Sequence, residues 1–111
     1  MKGEGTAAMA IPVTFTVRPA DGGVQVTVQF GIDTEPGQRL DRAGRTVKPH
    51  FIEEVVVRYN ERTVMTAYLG PAMARKPEIS FRLENTRAGE VISAMGRDNR
   101  GAVFEGTYRL S

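Results

Sequence analysis

Apolar and polar residues alternate along most of this chain with a period of two. Val13, Phe15 and Val17 alternate with Thr14, Thr16 and Arg18, and Val24, Val26, Val28 and Phe30 with Gln25, Thr27 and Gln29. Successive strand side chains point to opposite faces, so each pattern predicts a half-buried strand. A helix would scatter the same residues around its circumference. Pro12 suits a strand's first position, because it donates nothing to a ladder. Pro19-Ala20-Asp21-Gly22-Gly23 reads as the turn between the two strands. Later, Ile79, Phe81 and Leu83 alternate with Ser80, Arg82 and Glu84, and Asn85 to Gly89 reads as a turn. Val91 to Met95 predicts a strand, Asp98-Asn99-Arg100-Gly101 a hairpin, and Ala102 to Leu110 a last strand with Phe104, Tyr108 and Leu110 on one face.

The centre of the chain is different. Gly31 to Lys48 is a long loop, punctuated by Pro36, Gly37 and Gly44 and carrying Arg39, Arg42 and Arg45. Asp41-Arg42-Ala43-Gly44 suits a turn at its tip. Connections of this length in a compact domain are usually functional or disordered. After Pro49 the only histidine, His50, opens the longest apolar run. Phe51, Val55, Val57 and Tyr59 fall on one face of that run. Ile52, Val56 and Arg58 fall on the other, with Glu53 and Glu54 at its start. Apolar residues on both faces predict a central strand covered on two sides, by this chain or by a partner. Asn60-Glu61-Arg62 turns the chain, Thr63 to Leu69 returns as a hairpin, and Gly70-Pro71 breaks the pattern.

About seven short strands, with turn signals roughly every 8–12 residues, predict an all-β fold: a single immunoglobulin-like antiparallel β-sandwich. The length of 111 residues supports one domain over residues 1–111, with 1–11 expected to be a flexible tail. The Cys–Trp–Cys core of antibody domains is absent, so the likeness is architectural.

Composition then removes function classes. With no cysteine, there is no disulfide scaffold, no thiolate metal site and no cysteine nucleophile. The formal charge of +2 is too weak to argue for nucleic acid. No run approaches the ~20 apolar residues of a membrane span. The first residues lack the apolar core of a signal peptide, so the chain as written shows no export signal of its own.

Candidate chemistry is thin. His50 has Glu53 and Glu54 nearby, but no serine, threonine or lysine beside it marks a nucleophile. One histidine without cysteine argues against zinc, haem and non-haem iron, so no metal or other cofactor is expected. A hydrogen-bonded structural or interface role for His50 is the expectation. No glycine pattern makes a phosphate loop. Arg39, Arg42 and Arg45 could meet an anion or acidic partner, or simply be solvated. The few aromatics lie at strand spacing, which favours core packing over base stacking.

An ordered set of motifs goes further. Gly37-Gln38-Arg39, Asp41-Arg42-Ala43-Gly44, Pro49-His50-Phe51-Ile52, Val57-Arg58-Tyr59-Asn60, Gly70-Pro71-Ala72, Ile79-Ser80-Phe81-Arg82 and Asp98-Asn99-Arg100-Gly101 occur in the order found in the SoxZ family, and the chain resembles it from about Val13 to the end. The resemblance implies a sandwich that is not an enzyme, the partner of SoxY in the SoxYZ thiosulfate-oxidation carrier. SoxY bears sulfur intermediates on a cysteine at the end of a mobile arm, and the pair serves other sulfur-oxidation enzymes. It implies a periplasmic heterodimer, exported with its partner, and no cofactor, nucleic acid or membrane. The partner-binding residues it implies are Gly37, Gln38, Arg39, His50, Phe51, Tyr59, Asn60, Gly70 and Pro71, with Phe51 and Tyr59 as aromatic anchors if exposed. One departure stands out: where SoxZ chains carry His-Pro-Met before the loop glutamate, this chain has Ile32-Asp33-Thr34 before Glu35, and Pro36 replaces a usual threonine. The alternatives are a generic periplasmic interaction or scaffold sandwich, a weak anion binder through the arginine loop, or a small metal or redox enzyme resembling superoxide reductases in fold class. Superoxide reductases need several histidines and a cysteine at iron.

Overall fold

In the computed structural model, residues 11–73 and 75–111 are described. The tail expected at the N-terminus lies outside these residues except for Ile11, which packs against the core. Seven strands follow one another: β1 (Val13–Ala20), β2 (Gly23–Phe30), β3 (Ile52–Tyr59), β4 (Arg62–Tyr68), β5 (Glu78–Glu84), β6 (Val91–Asp98) and β7 (Val103–Arg109). They form two antiparallel sheets, one ordered β1-β2-β5 and the other β4-β3-β6-β7. The expected all-β sandwich is the observed fold. β4 joins the sheet of β3, β6 and β7, whereas constant-type immunoglobulin domains put their fourth strand in the other sheet.

The inner faces are those that the alternation marks. Val26, Val28 and Phe30 from β2 meet Val55 and Val57 from β3, Ile92 and Ala94 from β6, and Phe104 from β7. The Phe30 and Phe104 rings pack edge to face at 6.0 Å. Gly96 on β6 makes room for Phe104 beside it: a Cβ there would lie 2.4 Å from the ring.

Several boundaries move. β1 continues through Pro19 and Ala20, so the turn is shorter than the sequence suggests. Pro19 is tolerated because β1 is an edge strand, where one side of the backbone needs no donor. β6 runs on from Met95 to Asp98. Asn60 and Glu61 make the two-residue β3–β4 turn, both with positive φ (50° and 68°), the sign required by a type I′ hairpin.

The faces of β3 need a correction. Ile52 is a core residue, 2% exposed, and Phe51 is only half-buried. Ile52 pairs with Asp98 and Glu54 with Arg97, which leaves Glu53 as the extra residue of a β-bulge. The bulge shifts the alternation by one, so Ile52 and Val55 face the same side. β3 is a central strand, as expected, with one face in the core. No described part of the chain forms a layer over its other face.

Candidate functional site

The long loop folds back on itself rather than wandering. Glu35 and His50 exchange backbone bonds of 2.8 and 2.9 Å, and Leu40 bridges Thr46. At its tip the Asp41 carboxylate accepts the Ala43 and Arg45 amides at 2.8 and 2.9 Å, the side-chain turn that the Asp-Arg-Ala-Gly spelling suggests. Gly37, at φ +91°, stacks on Pro49; a Cβ there would be 3.3 Å from three ring carbons.

Where the loop re-enters the sandwich, Pro49–Ile52 is clasped by the β6–β7 turn. His50 Nε2 lies 2.8 Å from Asp98 Oδ2. Asp98 is 3% exposed, and its other oxygen accepts the Arg100 and Ala102 amides at 3.0 and 2.8 Å. Burial by itself raises this carboxyl. The bonds from His50, Ala102 and Arg100 outweigh it and hold the pKa below its ordinary 3.8. Asn99 completes the clasp: its Oδ1 accepts the Phe51 amide at 2.9 Å, its Nδ2 donates to the Pro49 carbonyl at 3.1 Å, and its amide donates to the Phe51 carbonyl at 2.9 Å. Arg100 reaches the Pro49 carbonyl at 3.2 Å. Two motifs about fifty residues apart in sequence are therefore two halves of one joint.

A second joint closes the opposite end of β3. Glu90 accepts the Tyr59 hydroxyl and the Arg87 amide on one oxygen and Asn60 Nδ2 on the other, at 2.9 Å. Asn60 Oδ1 accepts the Val91 amide at 3.1 Å. Glu90 was not singled out in the sequence. Its side-chain partners Tyr59 and Asn60 lie about thirty residues upstream, and the Arg87 amide alone would make it an ordinary turn carboxylate.

The sequence-derived site residues therefore separate. His50, Phe51 and Gly37 gather at the first joint, and Tyr59 and Asn60 at the second. Gly70 and Pro71 open a turn in which the Met73 amide donates to the Gly70 carbonyl at 3.2 Å. Gln38 is exposed. Arg39 is exposed but held by Glu35 through two bonds of 2.8 and 3.2 Å, and Arg39 in turn lowers the Glu35 pKa. The exposure that would make Phe51 and Tyr59 anchors is not met: both are half-buried, and Tyr59 packs on the core. Among the described residues the exposed large apolar ones are Leu40, Val64, Tyr68 and Val103.

Two depressions flank the loop. One, of about 250 Å³, is lined by His50, Asp98, Ile11, Arg100, Ala102, Val103 and Phe104. A His–Asp pair needs a nucleophile on the imidazole's other side, and none of these residues supplies one. The other, of about 570 Å³, lies between Thr34, Glu35, Pro36 and Arg39 and the opposing Met73 and Arg75. Here the loop departs from the motif pattern: Asp33 pairs with Lys76 at 2.6 Å, and Thr34 Oγ1 is buried without a hydrogen-bond partner. Among the described residues no cluster of three or more histidine, cysteine, aspartate or glutamate side chains could hold a metal.

The family model described as "Sulphur oxidation protein SoxZ" matches residues 14–109. Two solved structures of variants of the superoxide reductase (neelaredoxin) from Ignicoccus hospitalis are similar in fold. One has a TM-score of 0.62 at 17% identity, covering 95% of this chain and 83% of that one. The other has a TM-score of 0.64 at 19% identity, covering 99% and 87%. At such identity the likeness is one of fold alone. No curated protein matches the chain.

Proposed function

The chain belongs to the SoxZ family of sulphur-oxidation proteins, and from that membership we propose that it is the non-catalytic subunit of a heterodimeric sulfur carrier. On this reading it binds a SoxY-like chain, which bears the sulfur intermediates on its own cysteine, and supports that chain as other sulfur-oxidation enzymes act on it. The two chains work in the periplasm. The observation that carries the reading is the family match over residues 14–109. The chain's lack of cysteine agrees with it, since the sulfur must then be held elsewhere. The side chains of His50, Asp98 and Asn99 are engaged in closing the fold, which fits a subunit that positions rather than reacts.

Co-expression with a SoxY chain from the same source tests the proposal. A one-to-one heterodimer by size-exclusion chromatography with light scattering is expected. A chain that elutes as a monomer in the presence of that partner overturns it.

A further inference from the structure

The two outer faces of the sandwich are chemically unequal. The β1-β2-β5 sheet shows Thr14, Thr16, Arg18, Gln25, Thr27, Gln29, Ser80 and Arg82 outward, a polar surface whose Thr27 and Ser80 hydroxyls bond each other at 2.9 Å. The β4-β3-β6-β7 sheet is different. Tyr68 is 77% exposed at one edge and Val103 61% exposed at the other. The register sets Tyr68, Glu54, Arg97 and Val103 in one row, with Val56 and Met95 together in the next. Val64 is 42% exposed nearby on β4.

The charges in the middle of this face are already paired, two carboxylates on one guanidinium. Arg97 donates to Glu53 at 2.5 Å and to Glu54 at 3.4 Å, all three on the outer side of the sheet. Covering an ion pair with its partners in place costs far less than covering a lone charge. The bulge at Glu53 is what lets two adjacent carboxylates reach one guanidinium. Farther along stand Arg58 and Glu105, both exposed and of opposite sign, where a partner's acid and base would be complementary. Four strands of this length present about 500 Å² in plan. With the adjoining loops that approaches the ~800 Å² per partner of a standard interface between folded chains, and it exceeds what one added peptide strand would cover.

We propose that the outer face of the β4-β3-β6-β7 sheet, centred on the Glu54–Arg97 pair and edged by Tyr68 and Val103, is where the folded carrier chain docks. This rests on the heterodimer reading above and assigns it a surface. It also covers Val56, the one apolar side chain that β3 leaves on the outer side.

The test compares two double variants by calorimetric titration against a SoxY-like carrier chain. Tyr68→Asp with Val103→Asp alters the proposed face. Thr16→Asp with Gln25→Asp alters the polar face. All four side chains are exposed, and circular dichroism checks that both variants fold. The first variant is expected to bind at least about thirtyfold more weakly and the second within about threefold of the parent. In parallel, Tyr68→Cys gives a chain with one cysteine, and carrier binding is expected to slow its alkylation at least tenfold. Loss of binding in the polar-face variant alone, or unprotected alkylation in a complex that forms, overturns the surface while leaving the heterodimer standing. A parent chain that does not bind the carrier overturns both. A parent that pairs with itself through Tyr68, protected without carrier, gives the face to a second copy and overturns the assignment.

Discussion

Asp98 gathers three donors, as many as Glu90, and is the more deeply buried of the two carboxylates. It receives the His50 ring and two turn amides in a site almost without solvent. Asp98→Ala leaves three donors without their acceptor, and unfolding in urea is expected to show a loss of about 2–4 kcal/mol. The sign of its pH dependence follows from the lowered pKa. The unfolded chain binds the proton more readily, so the stabilisation is complete above the ordinary value of 3.8 and is lost as pH falls through the lower native one. The urea midpoint of the parent should therefore drop in that acid window more steeply than that of Asp98→Asn. Equal slopes would mean that the carboxylate's bonds contribute nothing. His50 was visible as an isolated histidine, and a hydrogen-bonded structural role was the expectation. Its partner was not visible, because Asp98 sits 48 positions away and meets it only when β6 pairs with β3.

The strands were legible wherever one face is core and the other solvent, as in β2, where four apolar residues alternate without interruption. Legibility failed at the start of β3. A bulge adds one residue to one strand of a pair, so it is a property of two strands and has no signature in either alone. Deleting Glu53 would remove the bulge and restore strict alternation with Ile52 still facing the core. Ile52→Ala, which empties that core position, is expected to cost about 2–4 kcal/mol by chemical denaturation. Glu61 at φ 68° sits where a type I′ turn favours glycine, and Glu61→Gly should raise stability by about 1 kcal/mol. Gly96→Ala should destabilise by about 1–3 kcal/mol, because the added methyl would occupy the space of the Phe104 ring.

For the whole molecule, the family carries the chemical argument, and the likeness to solved structures carries the fold alone. The solved structures of similar fold are named as superoxide reductases, yet this chain has one histidine and no cysteine. Metal analysis of the purified protein is expected to return far less than one iron per chain; a stoichiometric value would favour the redox reading over the carrier one. Carrier binding should also stabilise the fold by mass action, so the thermal midpoint is expected to rise with carrier concentration. A flat response would count against a specific complex. The net charge of +2 gives no reason for that complex to be steeply salt-dependent. Arg39, the loop arginine nearest the 570 Å³ depression, is already paired with Glu35.

The sequence by itself determined the all-β class, the inner faces of most strands, the exclusion of thiol chemistry and, through its ordered motifs, the family. These are local or compositional properties: a period of two needs only neighbours, and an absent residue is absent in any conformation. Only the tertiary structure decided what those motifs do. Pro49–Ile52 and Asp98–Gly101 form one joint, Tyr59 and Asn60 another with Glu90, and Tyr59 packs against the core while Phe51 stays half-buried beside it. Among the described residues the most exposed large apolar side chains are instead Tyr68, Val103 and Leu40. Each of those outcomes depends on which strands pair and in what register, a choice set by contacts between residues tens of positions apart.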